Sequence, residues 1–252
     1  MLSQLSLRCI SQIRPRLGIK PSRLRSGLLL TKMGAMTQPN EKLIDAKQKL
    51  AEQRSAKGVG TGNEGAPKKD RLPPGQRLAS GFPVLDLGIQ PEITTADWSL
   101  EVSGAADKRS LNWSDFLKLP QTSLTCDFHC VTSWSIFDAK VEGVLWRDFM
   151  AVVKPDAAAT HVMFHSYDGY STNVPLQVLN SDPQAMLIHA FGGQPLERIH
   201  GGPVRGWVPS LYAWKSAKWV KGVEFMLKDK RGFWEVRGYH NHGDPWREER
   251  YS

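Results

Sequence analysis

The chain has 252 residues, of which 40% are hydrophobic, so it is long enough for one sizeable core and is not dominated by disorder. Residues 1–80 contain 16 Lys and Arg against 5 Asp and Glu, whereas residues 81–252 contain 17 against 20. The formal net charge of +8 is therefore a property of the N-terminal part, and the rest gives no electrostatic indication of a nucleic-acid partner. No run approaches the roughly 18–20 apolar residues that a membrane span requires, so we expect no membrane-spanning segment.

Residues 1–40 carry seven Lys and Arg among Leu and Ser, and the first acidic residue of the chain is Glu41. This composition is typical of a mitochondrial presequence, so we predict one here and a location in the matrix or the intermembrane space. Two alternatives remain open. The segment is a disordered basic tail, or translation starts at Met33 or Met36 and the protein is cytoplasmic.

A short amphipathic helix is predicted for residues 41–56, where Leu43, Ile44 and Leu50 are apolar and Asp45 and Lys49 form an i,i+4 pair. The following residues are rich in Gly, Pro and charge, so residues 41–77 are interpreted as a helix and a flexible linker. We place one folded domain at residues 78–252.

Runs of β-forming residues separated by turn residues dominate this domain. We predict strands within residues 98–104, 160–169, 185–193, 204–214, 219–227 and 232–239. Two helices are expected, one after Asn112 or Ser114 as N-cap and one within residues 143–155 that ends at Pro155. The predicted fold class is α+β, mostly β, with mixed sheets and short helices.

The stretch LTCDFHCVTSW, residues 124–134, contains two of the three cysteines. Cys126, His129 and Cys130 could bind zinc together with His240 or His242, although the C-x3-C spacing is unusual for such sites. A c-type haem requires Cys-x-x-Cys-His, which is absent. A nucleophilic cysteine, two buried core cysteines and a single thiolate for a heavier metal remain as further interpretations.

A second segment, residues 198–221, reads RIHGGPVRGWVPSLYAWKSAKWVK and contains five Lys and Arg, one His and no acidic residue. A Gly-Gly-Pro turn flanked by cations could offer backbone N–H groups and charge to an anionic ligand such as a phosphate. The alternative is a solvated basic edge. The interleaved tryptophans favour partial burial, and buried cations without carboxylates usually have an anion as partner.

Taken together, the cysteine segment and HGGPVR…KSAKWVKGVEF resemble the sulfite oxidase family of molybdenum-molybdopterin oxidoreductases over roughly residues 82–225. The tail resembles prokaryotic-type members that consist of the catalytic domain alone. The resemblance implies that Cys130 ligates molybdenum and that Cys126 packs in the core. It also implies contacts to the cofactor from a further set of residues, namely His200, Arg205, Ser216, Ala217, Lys218 and either His165 or Ser166.

Two positions depart from the family pattern. Val131 to Trp134 stand where sulfite oxidases have Gly, Asn and arginines, so we expect a less cationic pocket, which argues against sulfite itself. His189 stands at the position of the family's active-site tyrosine, where it could relay a proton or simply pack on its strand.

The function implied is two-electron oxo transfer on a small oxyanion or an S- or N-oxide. The alternative is a non-catalytic molybdopterin-binding or protein-interaction module. No His-Pro-Gly-Gly haem-binding stretch and no dimerisation domain is recognised, so we expect no haem, a separate electron carrier and a monomer.

Overall fold

Two mixed β-sheets organise the protein, whose computed structural model describes residues 38–62 and 71–252. All of these residues belong to one structural unit, Met36–Ser252. The α-helices of the described part are α1 Glu41–Ala56, α2 Trp113–Leu117, α3 Trp146–Val153 and α4 Leu176–Ser181. Its strands are β1 Arg77–Leu78, β2 Ser99–Gly104, β3 Arg109–Asn112, β4 Gln121–Cys130, β5 Trp134–Leu145, β6 His161–Ser166, β7 Ser171–Pro175, β8 Met186–Phe191, β9 Gln194–Pro195, β10 Arg205–Trp207 and β11 Val220–Met226. Short 3₁₀ turns occur at Arg198–His200, Ala213–Lys215 and Glu235–Arg237.

The six-stranded sheet is built around the long hairpin of β4 and β5. Strand β5 pairs on its other side with β8, which continues to β10 and β9, while the short β1 pairs parallel to the start of β5. Gly143 on β5 lies so close to β8 that an added Cβ would be 2.1 Å from the carbonyl oxygen of Leu187. Close approach of the two backbones therefore requires glycine at this position.

The five-stranded sheet has the order β3, β2, β11, β6 and β7. Its β2 and β11 run parallel, and the other pairs are antiparallel. The helices α2, α3 and α4 contribute Phe116, Phe149 and Leu179 to a buried cluster with residues of this sheet. A second cluster surrounds the hairpin and includes both Cys126 and Cys130.

The first helix is packed against the folded domain rather than separated from it. Asn40 caps α1 by accepting a hydrogen bond from the backbone N–H of Leu43, and its own N–H donates to the carbonyl of Leu87. Ile44 and Ala51 of α1 are buried in the cluster around the hairpin. The helix predicted for residues 41–56 is thus present, while the domain boundary at residue 78 stays a prediction.

The predicted fold class, mostly β with mixed sheets and short helices, is confirmed. Asn112 caps α2 as expected. The hairpin of β4 and β5 was not predicted, and β5 includes residues 143–145 that were assigned to a helix. The strand predicted within residues 232–239 is wrong, because Glu235 lies in a 3₁₀ turn that places its carboxylate in the interior.

No helix within residues 38–62 and 71–252 has both the length and the apolar character needed to cross a membrane.

Candidate functional site

Cys130 is the last residue of β4 and lies at the tight turn that leads into β5. It pairs with Trp134, and the backbone N–H of Ser133 donates to its carbonyl over 3.0 Å. Ser133 closes the turn in the left-handed region, with φ of 69°. Only 5% of Cys130 is exposed, and burial raises the pKa of its thiol. The hydroxyl of Thr132 lies 3.3 Å from the sulfur.

Two side chains from distant parts of the chain hold this turn. The amide of Gln76, just before β1, donates to the carbonyl of Cys130 over 3.1 Å. The guanidinium of Arg250, near the end of the chain, donates to the carbonyl of Val131 over 2.6 Å and is 7% exposed. Because a charged donor replaces solvent at a buried carbonyl, the position of the turn depends on the C-terminal tail.

A cavity opens beside Cys130 and brings five of the predicted site residues together. These are Cys130, Arg205, Ser216, Ala217 and Lys218. Aromatic side chains form much of the remaining lining, namely Phe82, Phe128, Trp134, Tyr170, Trp214, Trp219, Trp234 and Tyr239. The indole N–H of Trp134 is buried and has no hydrogen-bond partner among the described residues.

Arg205 and Lys218 place two cations in this cavity. Arg205 is 3% exposed, and its guanidinium donates to the carbonyls of His200 over 3.0 Å and Ser216 over 2.8 Å. Lys218 donates to the carbonyl of Ile199 over 2.7 Å. Burial lowers the pKa of Arg205 to about 9, and burial and the charge of Arg205 lower the pKa of Lys218 to about 7.

Within residues 38–62 and 71–252, neither cation forms an ion pair with a carboxylate. An anion in this cavity would therefore find desolvated positive charge.

The Gly-Gly-Pro turn has a different role from the one suggested by its sequence. The N–H groups of Gly201 and Gly202 already donate to the carbonyls of Arg198 and Glu197, so they are not free for a ligand. Gly201 has φ of 103°, and an added Cβ would be 2.7 Å from the Cβ of Lys218. The glycine thus lets Lys218 pack closely against the turn.

His200 lies one layer behind the cavity. Its ring stacks on Phe82, with centroids 4.2 Å apart, and its Nδ1 is buried without a partner among the described residues. Burial and the nearby charges of Lys218 and Arg205 lower its pKa, so the ring is neutral near pH 7. His200 does not line the cavity but supports Phe82, which does.

His165 and Ser166, at the end of β6, also lie outside the lining. The Nε2 of His165 is 2.8 Å from a carboxylate oxygen of Glu224 on the neighbouring strand. The hydroxyl of Ser166 is buried without a partner among the described residues. The loop that follows them brings Asp168 into the cavity instead.

His189 is not brought to Cys130. It lines a different cavity, which it shares with Trp113 and Glu142, and its Nε2 lies 3.1 Å from the side-chain oxygen of Gln121. Burial lowers the pKa of its ring. Successive side chains of β8 point to opposite faces of the sheet, so the strand decides on which side His189 lies. Counting positions along the sequence does not determine that face.

The zinc interpretation finds no support in the described residues, in which no group of three or more His, Cys, Asp and Glu could hold a metal ion. Cys126 accepts a hydrogen bond from the indole N–H of Trp207 over 3.1 Å and belongs to the core. His129 is buried with its Nδ1 2.8 Å from the hydroxyl of Ser135, and burial lowers its pKa to about 4. Cys130 is therefore the cysteine that is available to a ligand in this cavity.

Three charged side chains of the cavity were not assigned as site residues from the sequence. Burial raises the pKa of Asp168 to about 6, and its carboxylate accepts the backbone N–H of Tyr170. Lys47 enters from α1, and Asp86 enters from the segment before β2. Asp168 follows Ser166 by two residues and could have been found by extending that motif, whereas no local signal distinguishes Lys47 from the other lysines of its helix.

Comparison with known proteins identifies relatives over most of this domain. A family model described as the oxidoreductase molybdopterin-binding domain matches residues 87–234. The chain is 38% identical to YuiH, an uncharacterized oxidoreductase of Bacillus subtilis, over 72% of this chain and 92% of that protein. It is 30% identical to YedZ1 of Azospira oryzae, a putative protein-methionine-sulfoxide reductase subunit, over 59% of this chain and 56% of that protein.

The fold is also found in a solved structure. The sulfane dehydrogenase SoxCD of Paracoccus pantotrophus superposes with a TM-score of 0.52 and 18% identity, covering 57% of this chain and 42% of that chain. At this identity the likeness concerns the fold alone.

The mitochondrial presequence and destination predicted from residues 1–40 are wrong, because YuiH and YedZ1 are bacterial proteins. Human mitochondrial sulfite oxidase is 26% identical, and the chain covers only 33% of it. Residues 1–37 lie outside the described part of the chain. A basic composition with Leu and Ser is shared by presequences and other basic segments, so composition could not determine the compartment.

The family model covers more than half of the chain, and YuiH is matched over nearly its whole length. The chain therefore belongs to the oxidoreductase molybdopterin-binding domain family, in which it is a sulfite oxidase-like member.

Proposed function

We propose that the protein is a molybdenum-molybdopterin oxidoreductase that acts on a small oxyanion or an S- or N-oxide, with Cys130 as the protein ligand of the metal. The observation that carries this proposal is the cavity that joins the Cys130 sulfur to the cations of Arg205 and Lys218. Either direction of the redox reaction remains part of the proposal.

The residues present fit this cofactor in their chemistry. A thiolate is the soft donor that suits molybdenum held by dithiolene sulfurs, and Cys130 is the cysteine that lines the cavity. The phosphate of a pterin cofactor requires cationic donors, and Arg205 and Lys218 provide them. Asp86 and Asp168 also line the cavity, but neither cation forms an ion pair with a carboxylate among the described residues. Ser216 and Ala217 would contact the cofactor between these two cations.

When bound, the molybdenum-molybdopterin group supplies the two-electron oxo-transfer chemistry, and the protein supplies binding, orientation and electrostatics. Cys130 must be deprotonated to act as a ligand. Because burial raises the pKa of its thiol, binding of the metal cation has to accompany loss of the proton. The charges of Lys47 and Arg250 favour the thiolate.

Asp168 is the carboxyl in this cavity that can hold or release a proton near neutral pH, because burial raises its pKa to about 6. His189 has no catalytic role in the proposal, since it lines a different cavity. The sequence-based expectations of a separate electron carrier and of a monomer are retained as proposals, and sedimentation velocity would test the second.

Elemental analysis of protein purified from a host that makes molybdopterin tests the assignment of Cys130. We expect roughly one molybdenum per chain in the wild type and a marked loss in Cys130→Ser. The matched control is Cys126→Ser, which alters a buried cysteine of the same strand that does not line the cavity and should retain the metal.

Zinc in place of molybdenum, or no metal at all in the wild type, would contradict the proposal. Equal molybdenum content in the wild type and in both cysteine variants would contradict only the role of Cys130 as ligand and not the presence of the cofactor. A protein that holds molybdenum but shows no turnover with any oxyanion, S-oxide or N-oxide would favour the non-catalytic alternative.

A further inference from the structure

Lys47 reaches the cavity from a helix that lies outside the residues matched by the family model. The model matches residues 87–234, whereas α1 spans Glu41–Ala56. Ile44 and Ala51 of this helix are buried at 3% and 0% exposure, three residues before and four residues after Lys47. Residues at these spacings share one helix face, so Lys47 is held toward the domain by its buried neighbours.

The ammonium group of Lys47 has an aromatic neighbour but no anionic one in direct contact. It lies 5.2 Å from the ring centroid of Trp234. Across residues 38–62 and 71–252, it takes part in no ion pair and no hydrogen bond. Burial lowers its pKa, which means that its charge has been partly removed from water.

The charge of Cys130 acts on Lys47 most strongly and that of Asp86 next, but neither group forms an ion pair or a hydrogen bond with the ammonium. The two carboxylate oxygens of Asp86 accept hydrogen bonds from other donors. One accepts the backbone N–H of Gly88 over 2.9 Å, and the other accepts the side-chain amide of Gln90 over 2.8 Å. Asp86 therefore does not take the position of a direct counterion. A half-buried cation left in this state is suited to bind an anion that enters the cavity.

The other cations of the cavity are occupied differently. Arg205 donates to three backbone carbonyls and Lys218 to one, and both belong to the segment that the proposed function gives to the cofactor. Lys47 comes from another element and lies over the ring of Trp234, which also lines the cavity. The ammonium group of Lys47 is therefore available to bind the substrate.

We infer that Lys47 is a specificity-determining residue that binds a negatively charged group of the substrate in the Cys130 cavity. The inference rests on the proposed function, because the substrate is defined as the molecule that reacts at this site. It also changes the expectation from Val131 to Trp134 that the pocket is poor in cations. The positive charge arrives from α1 rather than from the residues that follow the cysteine.

Isothermal titration calorimetry with inorganic sulfate tests the inference on the full chain purified from a molybdopterin-making host. Sulfate provides a small tetrahedral dianion. We expect Lys47→Met to weaken sulfate binding about tenfold or more, because a desolvated charge-assisted contact is lost. Lys47→Arg keeps the charge and should remain within about threefold of the wild type. The matched control is Lys49→Met, an exposed lysine of the same helix that does not line the cavity.

Wild-type affinity in Lys47→Met would overturn the inference, as would an absence of sulfate binding by the wild type. So would loss of sulfate binding in Lys218→Met but not in Lys47→Met, since the anion would then occupy the site given to the cofactor. Elemental analysis of the same samples keeps the two proposals apart. A wild type without molybdenum contradicts the proposed function, while sulfate binding that depends on Lys47 still supports the anion site.

Discussion

The buried ion pair of Lys215 and Glu235 offers a quantitative test of how the C-terminal tail is attached. Both side chains are 0% exposed, and the ammonium nitrogen lies 2.7 Å from the carboxylate. Lys215 also donates to the carbonyls of Asn173 and Asn241, each over 2.7 Å. The same carboxylate oxygen of Glu235 accepts the indole N–H of Trp214. The pair thereby connects residues 232–241 to the interior of the domain.

Replacement of Lys215 by Met keeps the length of the side chain but removes its charge. The carboxylate of Glu235 then remains buried without a counterion, and its second oxygen already has no hydrogen-bond partner among the described residues. Breaking a buried pair in this way costs about 3–5 kcal/mol of the free energy of unfolding. For a chain of this size, that loss corresponds to a melting temperature lower by about 6–20 °C.

Urea unfolding followed by circular dichroism measures this loss. A double variant, Lys215→Met with Glu235→Gln, removes the orphaned charge but keeps an oxygen for Trp214, so it should be more stable than Lys215→Met alone. Lys140→Met is the control, because Lys140 is exposed and its loss should change the free energy of unfolding by at most about 0.5 kcal/mol. A loss below about 1 kcal/mol in Lys215→Met, or no recovery in the double variant, would refute the reasoning.

Three further predictions concern the turn at Cys130, the hairpin and the response to acid. Arg250→Met should lower the free energy of unfolding by about 1.5–3 kcal/mol, measured in urea, because the carbonyl of Val131 loses a charged donor. Gly143→Ala should cost about 3 kcal/mol or prevent folding, measured by urea unfolding of the soluble fraction, because its Cβ would collide with the backbone of Leu187. Burial lowers the folded-state pKa of His129 from 6.5 to about 4, so the unfolded state binds more protons between these values. The stability contributed by neutral His129 is complete above pH 6.5 and is lost as the pH falls toward 4, by up to about 1.4 kcal/mol per pH unit. His129→Gln should therefore flatten the pH dependence of the free energy of unfolding, measured by urea titration.

Each of these predictions has an outcome that contradicts it. Arg250→Lys retains a cation and should fall between the wild type and Arg250→Met, so equal stability of all three would show that the turn does not depend on this contact. Gly143→Ala with wild-type stability would mean that β5 and β8 are farther apart than the structure has them. An unchanged pH dependence in His129→Gln would show that folding does not lower the pKa of His129.

The local pattern of residues was sufficient to predict several elements but not the central hairpin. β2, β6, β8 and β11 alternate or cluster β-forming residues between turns, and Asn112 is a clear helix cap. In β4 and β5, a bulge between Cys126 and Phe128 interrupts the alternation, so period-two patterning does not indicate a strand there. Residues 232–239 are rich in β-forming residues. They form a turn instead, in which the carboxylate of Glu235 is buried beside the ammonium of Lys215.

The proposed cofactor side of the site was accessible from sequence because its residues lie in two contiguous motifs. Cys130 belongs to one, and Arg205, Ser216, Ala217 and Lys218 belong to the other, and all five line one cavity. His189 was predicted beside them by counting positions along the chain. The structure places it in another cavity, because the face of a strand on which a side chain lies depends on sheet pairing.

By itself, the sequence determined the fold class and the family, and it indicated Cys130 as the candidate ligand. These depend on composition, on short-range periodicity and on contiguous motifs. Only the tertiary structure decided that Lys47, Asp86 and Asp168 share the cavity with Cys130, and that Gln76 and Arg250 hold its turn. Lys47 and Arg250 are more than 200 residues apart in the chain, and no local pattern specifies which distant segments pack against the same strand. Their convergence results from burial of α1 and of the C-terminal tail against the hairpin, which removes apolar surface from water.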